Sequence, residues 1–522
     1  MDKPDSTKSG PGSDDSSGLK SGPGSDRGSA SGSDPDSPMT DDGILPVTSA
    51  REVVTCGADA SIHAAAALMS ERNVGSIVVV DEERRPLGIV TDTDLRKKVV
   101  AGGLPADGPV RSIMSTPVVT VPAMSTASGT IITMMRRGIR HLCITEDGTP
   151  GSAVIGIISE HDVVLLHGNN PAVLAKEIAQ AEDVAGLAGL RGRGEELVTQ
   201  YVVRGINVRF VADMIAEIND ALVARLIALA ERGLEAGGLA RPVSKYCWLS
   251  LGSDGRREQL IQTDQDSALV YEDPAERERD LTAAYFGRLA SEVTQGLAAC
   301  GFALCPGNNM ASNPEWCQPV SRWQEYFRTW IRVPKEEALL NAATFFDFRP
   351  VHGDVALAHT LRECITRELE SDRTALILLA KNAAHNPPAT GLWERLNVEK
   401  KGPHSGLFDL KLRGMKPVTE AVRVLALDRG VHALTGTLDR IEKMAADDRS
   451  IAGIRADIVE AYELFMRYRV LYGTRGVDGG RYLDLRKMSK QESRRFRSLL
   501  KSVSSLLKLV QVRYQLDALG LR

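Results

Sequence analysis

Between residues 45 and 170 the chain copies itself, and this duplication limits its architecture more than any other feature. Val53-Val54-Thr55 returns as Val118-Val119-Thr120 and Met69 returns as Met134, each 65 residues further on. Gly88-Ile89-Val90-Thr91-Asp92-Thr93-Asp94 returns as Gly156-Ile157-Ile158-Ser159-Glu160-His161-Asp162 at an offset of 68, three residues having entered the loop around 148–152. Each copy reads strand, helix, strand, turn, strand, helix, with apolar strands at 77–80 and 142–144. A unit this small buries too little surface by itself, so the two are expected to pack as a pair. They are built from Val, Ile, Ala and Met, since the 10 Phe, 10 Tyr and 5 Trp of the chain all lie at or after Tyr201.

The rest divides by composition and periodicity. The length of 522 residues suggests three or four domains. The first 40 residues hold 11 Ser, 7 Gly, 7 Asp and 5 Pro, and Lys-Ser-Gly-Pro-Gly-Ser-Asp starts at both Lys8 and Lys20. Such a segment cannot offset its ordering entropy by burial, so 1–44 is expected to be a disordered tail. From 171 to 240, Val211, Ile215, Ile218, Leu222, Leu226 and Leu229 recur at helical spacing and form one apolar face. Near 246 the pattern changes to strand, sharp turn and strand. From about 370 it is helical again, ending in the stripe Phe496, Leu499, Leu500, Val503, Leu506, Leu507 and Val510. The expected fold class is a multidomain α+β chain. Its parts are a tail (1–44), a tandem pair (45–170), a helical lead-in (171–240), a mixed core (241–365) and a helical bundle (366–522).

Charge and cysteine usage exclude several classes. Lys+Arg 64 against Asp+Glu 68 leaves −4, which argues against a nucleic-acid binder. The apolar runs are far shorter than the roughly 18 residues of a membrane span. Seven scattered cysteines with no Cys-x-x-Cys pair fit reduced thiols, and so a cytoplasmic location. The basic segment 481–513 reads as a solvated helix face, with a surface for an acidic protein as the alternative.

Two sets of residues could carry chemistry. The first is the duplicated Gly-Ile-Val/Ile-Thr/Ser-x-x-Asp. Thr91 or Ser159 can cap a helix, with Asp94 or Asp162 completing a variant capping box. The same geometry offers N–H groups and a hydroxyl to a phosphate, and a carboxylate to ribose hydroxyls. Two copies in tandem favour the ligand. Residues 45–170 resemble the cystathionine-β-synthase (CBS) domain pair, a regulatory module that binds adenine nucleotides between its halves. The resemblance implies ATP, ADP or AMP as a regulatory ligand at Thr91, Asp94, Ser159 and Asp162, and a homodimer through the pair. Arg140 and His141 would then face phosphate, or else simply be solvated. With no aromatic nearby, an adenine ring could pack only on aliphatic side chains.

The second set is Trp248-Leu249-Ser250-Leu251-Gly252-Ser253-Asp254-Gly255-Arg256-Arg257-Glu258, followed by Thr263-Asp264-Gln265-Asp266-Ser267-Ala268-Leu269-Val270. Strand periodicity would put Asp264 and Asp266 on one face. Adjacent carboxylates repel unless a cation joins them, and hard oxygen donors favour Mg²⁺, or Mn²⁺ in its place. Gly252 lets the backbone approach a triphosphate, and Ser253 and the following N–H groups can hold its oxygens. This is equipment for phosphoryl or nucleotidyl transfer. An exposed turn with two solvated aspartates is the plain alternative.

The arrangement resembles the polymerase-β-type nucleotidyltransferases. More narrowly, it resembles the nucleotidyltransferase family found beside CBS pairs in bacterial signalling proteins, which is related to the uridylyltransferase of the PII regulator. The likeness runs through Cys305-Pro306-Gly307, Trp316, Trp323 and Phe346-Asp347-Phe348-Arg349-Pro350-Val351-His352-Gly353-Asp354. It continues into the helical C-terminal partner domain at Phe408-Asp409-Leu410-Lys411 and Val424-Leu425-Ala426-Leu427.

The resemblance implies an NTP substrate at Gly252, Ser253 and Arg256, with Arg256 on a phosphate or on Glu258. Metal and catalysis would fall to Asp264 and Asp266, and the acceptor would be a PII-like protein or a small molecule. A third carboxylate is customary in that superfamily. The candidate strand 301–305 carries none, and Asp347 is the substitute considered. The His and His-Asp ligands of the uridylyltransferase's hydrolase domain are missing, so no removal activity is expected. The rival expectation is a non-catalytic adenine-nucleotide sensor or scaffold on a degenerate transferase fold.

Overall fold

The computed structural model describes residues 53–519 apart from 124, 126, 160–170, 262–263, 335–343, 387–395 and 474–477. The tail expected over 1–44 lies outside the described residues.

The duplication folds as two matching sheets. β1 (Thr55–Gly57), β2 (Ser76–Val80) and β3 (Pro86–Thr91) make the first, and β4 (Thr120–Pro122), β5 (His141–Thr145) and β6 (Val154–Ser159) the second. In each the first two strands pair parallel and the last two antiparallel. Even the irregularity repeats, between Val79 and Val80 and between Ile144 and Thr145. Alternation along β2 explains why one copy cannot stand alone. Ile77 and Val79 face Ile62, Ala65 and Met69 of the helix Ile62–Glu71. Val78 and Val80 face the other way and pack with Val118, Cys143 and Val154 of the second copy. Removing a partner would expose side chains whose burial is each worth about 1.5–3 kcal/mol.

The second copy's helix Ala127–Arg137 shares a core with the lead-in helices Pro171–Gln180, Val184–Val203 and Val208–Ala236. Asp183 and Asn207 cap the last two, accepting from the N–H of Gly186 and Arg209. The expected stripe is buried at Val211, Ile215, Ile218, Leu222 and Leu226. It packs against the helix Arg279–Ala299 and the edge of a four-stranded sheet.

That sheet holds β7 (Tyr246–Ser250), β8 (Ser267–Tyr271), β9 (Cys317–Pro319) and β10 (Arg349–Gly353) in the order β10-β7-β8-β9. β7 is antiparallel to both neighbours and β8 is parallel to β9. The aromatics absent upstream concentrate beside it, in the contacts of Trp316, Trp323, Trp330 and Phe345.

Among the described residues six α-helices follow, from Val355–Ser371 to Lys490–Arg513, with a two-residue ladder of β11 (Phe408–Asp409) and β12 (Tyr482–Leu483). Ser489 and Glu492 form a capping box at the start of the last helix, whose stripe from Phe496 to Val510 is buried. Among the described residues no helix is long and apolar enough to cross a membrane, and all seven cysteines are free.

Candidate active site

β7 ends at Ser250 and turns at once. The Leu251 N–H donates to the Asp266 carbonyl at 3.0 Å, tying this turn to the start of β8. Gly252 has φ +55, and a Cβ there would lie 2.9 Å from Asp266 Oδ2, so the carboxylate rests on the glycine. At Gly255 a Cβ would stand 1.9 Å from the Asp347 carbonyl oxygen, which no side chain could tolerate.

Asp264 and Asp266 converge, but not as partners on a regular strand. β8 begins only at Ser267. Asp264 makes a single parallel bridge to Ala303, and the Gln265 N–H donates to the Ala303 carbonyl at 2.8 Å. This brings in segment 301–305, where a third carboxylate was sought. What it delivers is Cys305: ligand atoms of Asp264, Asp266 and Cys305 all lie within 4.8 Å of one another. Burial, then the Asp264 charge, pushes the Asp266 carboxyl up to about 6, against the pull of Cys305 and Lys411. Burial and Asp266 push the Cys305 thiol up to about 11. Behind the pair is a small cavity of about 20 Å³ lined by Asp254, Asp264, Gln265 and Asp266. There Asp254 Oδ1 and Gln265 Oε1 are buried without a hydrogen-bond partner. Asp254 Oδ1 has Arg349 Nη2 at 3.8 Å; the two converging carboxylates of Asp264 and Asp266, with the Cys305 sulfur beside them, are the donors suited to a divalent cation.

One sequence expectation needs correction, and another is decided between its two alternatives. Asp347 is not poised as a third metal ligand. It is fully buried, with Oδ1 on Arg440 at 2.6 Å and Oδ2 on Arg423 at 2.7 Å and Arg256 at 3.1 Å. Burial opposes its charge, yet Arg423, Arg440 and Arg256 hold it well below the usual carboxylate range. Arg256, expected on a phosphate or on Glu258, takes the second course: its Nε meets Glu258 at 2.8 Å and its Nη1 meets Asp347. Glu258 in turn accepts from the Tyr462 hydroxyl at 2.7 Å and the Thr437 N–H at 2.6 Å. Together Arg256, Glu258 and Asp347 clasp the sheet domain to the helices Lys416–Asp428, Thr437–Ala445 and Arg449–Gly473.

The clasp forms the floor of a cleft of about 330 Å³. One wall carries Gly252, Ser253 and Asp266; the other carries Lys411, Lys416, Arg469 and Arg481. The cationic wall was missed from sequence. Lys411 stood in the Phe-Asp-Leu-Lys motif without a role. Arg469 left one signal, a charge at an apolar-face position in step with Tyr462 and Phe465. Of the basic segment 481–513, Arg481 lines this cleft, whereas Arg486, Arg495 and Arg513 pair with Asp484, Glu460 and Asp448.

In the tandem pair the first motif copy satisfies itself. Thr91 caps the short turn Asp92–Asp94, and its N–H and hydroxyl both donate to Asp94 Oδ2, at 3.0 and 2.7 Å. Asp94 Oδ1 meets Lys98 at 2.9 Å. Arg140 of the second copy reaches across to the Thr93 hydroxyl at 3.4 Å. Ser159 ends β6, paired opposite His141. Asp162 lies outside the described residues.

The chain thus joins a duplicated two-sheet module to a mixed sheet domain whose aspartate pair sits over a glycine turn. Residues 47–101 and 110–167 match the "CBS domain" family. Residues 192–337 match "Putative nucleotidyltransferase DUF294", and 373–514 match "Putative nucleotidyltransferase substrate binding domain". The chain belongs to the CBS-pair proteins that carry this nucleotidyltransferase domain and its partner. An uncharacterized protein of Methanopyrus kandleri is 32% identical over 26% of this chain and 67% of its own. The CBS domain-containing protein YhcV of Bacillus subtilis is 32% identical over 24% of this chain and 84% of its own. Of an uncharacterized Methanocaldococcus jannaschii protein, 35% identical over 22% of this chain, only 29% is covered. Among solved structures, a CBS domain protein of Pyrobaculum aerophilum complexed with AMP is 25% identical over 24% of this chain and 90% of its own, with a TM-score of 0.21.

Proposed function

We propose that the chain is a metal-dependent nucleotidyltransferase governed by adenine nucleotide at its CBS pair. The observation that carries this reading is the convergence of Asp264 on Asp266, whose carboxylate rests on Gly252 and lines the cleft. Asp264 and Asp266 would hold Mg²⁺ or Mn²⁺, which would supply charge neutralisation at the α-phosphate. Ser253 and the backbone after Gly252 would orient the triphosphate. An acceptor hydroxyl bonds to the α-phosphorus, the bond from that phosphorus to the β-bridging oxygen breaks to release pyrophosphate, and the hydroxyl proton passes to solvent.

The acceptor proposed is a PII-like protein or a small molecule held by the helical region. The assembly proposed is a cytoplasmic homodimer through the CBS pair, acting on neither nucleic acid nor membrane. A regulatory connection is available: Glu217 Oε1 accepts from Arg136 of the second CBS copy at 2.6 Å and from Arg257 of the Gly-Ser loop at 2.7 Å. The test is incubation with each labelled NTP, Mg²⁺ or Mn²⁺ and host lysate. A labelled acceptor with stoichiometric pyrophosphate supports the reading; no pyrophosphate with any of the four NTPs refutes it. A second reading, a non-catalytic sensor, is favoured by one observation, a thiol standing where the third carboxylate was sought.

A further inference from the structure

The cleft contains more cationic charge than its own acids neutralise. Four of its basic side chains are accounted for. Arg256 and Arg423 serve Asp347, Arg481 meets Asp409 at 2.7 Å, and Lys416 lies 3.6 Å from Glu420. Two are not. Lys411 has no ion-pair contact among the described residues; its side chain lines the cleft, attracted by Asp264 and Asp266 without touching either. Arg469 is only 6% exposed, yet among the described residues its guanidinium finds just one acceptor, the Gly479 carbonyl, at 3.3 and 3.2 Å. Asp264 and Asp478 attract this cation only from beyond hydrogen-bonding reach; a buried cation without a contacting carboxylate is costly, and five N–H donors sharing one carbonyl leave most unmet. Both groups are held below their usual pKa, Lys411 by desolvation between the cleft walls and repulsion from Arg469 and Arg481, Arg469 by burial and repulsion from Arg481, against the attraction of Asp264 on each and of Asp266 on Lys411.

Asp409 fixes this arrangement. Its Oδ2 holds Arg481, while its Oδ1 accepts the Leu412 N–H at 2.8 Å, one residue past Lys411. The cationic wall is therefore built rather than a chance surface patch. The space before it, about 330 Å³, suits a small ligand and not a folded partner. The opposite wall offers Ser253 and the turn after Gly252, so the ligand must be anionic, compact and rich in acceptors.

We infer that Lys411 and Arg469, both from the helical C-terminal region, form a polyphosphate cradle that takes the β- and γ-phosphates of the nucleotide and then the departing pyrophosphate. This rests on the transferase reading above and adds to it: the helical region would bind the nucleotide donor as well as the acceptor. Drawing the phosphate tail to this wall would leave the α-phosphate beside Asp264 and Asp266.

The experiment is calorimetric titration of the full chain with tripolyphosphate, with and without Mg²⁺, alongside Lys411→Met and Arg469→Gln. Wild type should bind, both variants should bind at least tenfold more weakly, and uridine or adenosine should not displace the ligand. Melting curves check Arg469→Gln, whose buried site is the riskier for folding; Lys411→Met, on an open side chain, decides if that variant unfolds. Affinity within threefold of wild type in Lys411→Met would overturn the cradle, as would displacement by a nucleoside. Should tripolyphosphate binding depend on Lys411 while no NTP is turned over, the transferase reading alone fails. Should Lys411→Met transfer nucleotide at the wild-type KM, the cradle alone fails.

Discussion

The CBS pair and the cleft each present aspartates beside a turn, and the two differ in how far the protein itself satisfies them. In the first CBS half, Thr91 and Lys98 engage both oxygens of Asp94. A ligand there must displace bonds already made. In the cleft, Asp264 and Asp266 crowd each other beside a thiol, and among the described residues Lys411 and Arg469 touch no carboxylate, drawn to Asp264 only from a distance. Deeper still, Asp347 has three guanidiniums and needs nothing further. Charge that the fold leaves uncompensated marks where a ligand is needed, and charge that it compensates marks what holds the domains together.

The comparison breaks most visibly at the metal pair. Asp264→Asn and Asp266→Asn should each cost several kcal/mol of transition-state stabilisation, roughly a thousandfold in labelling rate, with melting temperature kept or raised. Wild-type rates in both variants would remove the assignment.

Asp347→Ala should act on stability. Three buried guanidiniums lose their shared anion, and about 3–5 kcal/mol is expected from breaking such a buried set. Urea unfolding reads this directly, and an unchanged midpoint would mean that the clasp contributes nothing.

Smaller effects are expected in the regulatory pair. Asp94→Ala and Asp162→Ala should each weaken ATP, ADP or AMP binding by about 1.5–3 kcal/mol. If Asp94 is only a cap, its removal would instead cost about 1 kcal/mol of stability and leave adenylate calorimetry untouched. The smallest change tests the link between the regions. Arg136→Ala, at a half-exposed ion pair, should alter folding stability by less than about 1 kcal/mol while reducing the response of labelling to adenylate. An unaltered response would show that Glu217 carries no signal.

Much of this molecule is legible in its residues because the signals are local. The offset repeat predicted two copies of one unit, and strand alternation explains how β2 divides its valines between two cores. The stripe from Phe496 to Val510 and the Gly-Ser turn depend on neighbours a few positions apart, which is the range over which periodicity and backbone preference act. The chain order also identified segment 301–305 as the place to look for a third ligand. Only tertiary structure could decide the rest, because charge compensation is set by distance in space. Arg256 and Asp347 are 91 residues apart, and Glu258 and Tyr462 204 apart. No pattern along the sequence separates an aspartate that three arginines will surround from one that will be left waiting for a cation. The same holds for Lys411 and Arg469, whose lack of a contacting carboxylate among the described residues follows from which side chains the folded helices bring near and which they keep away.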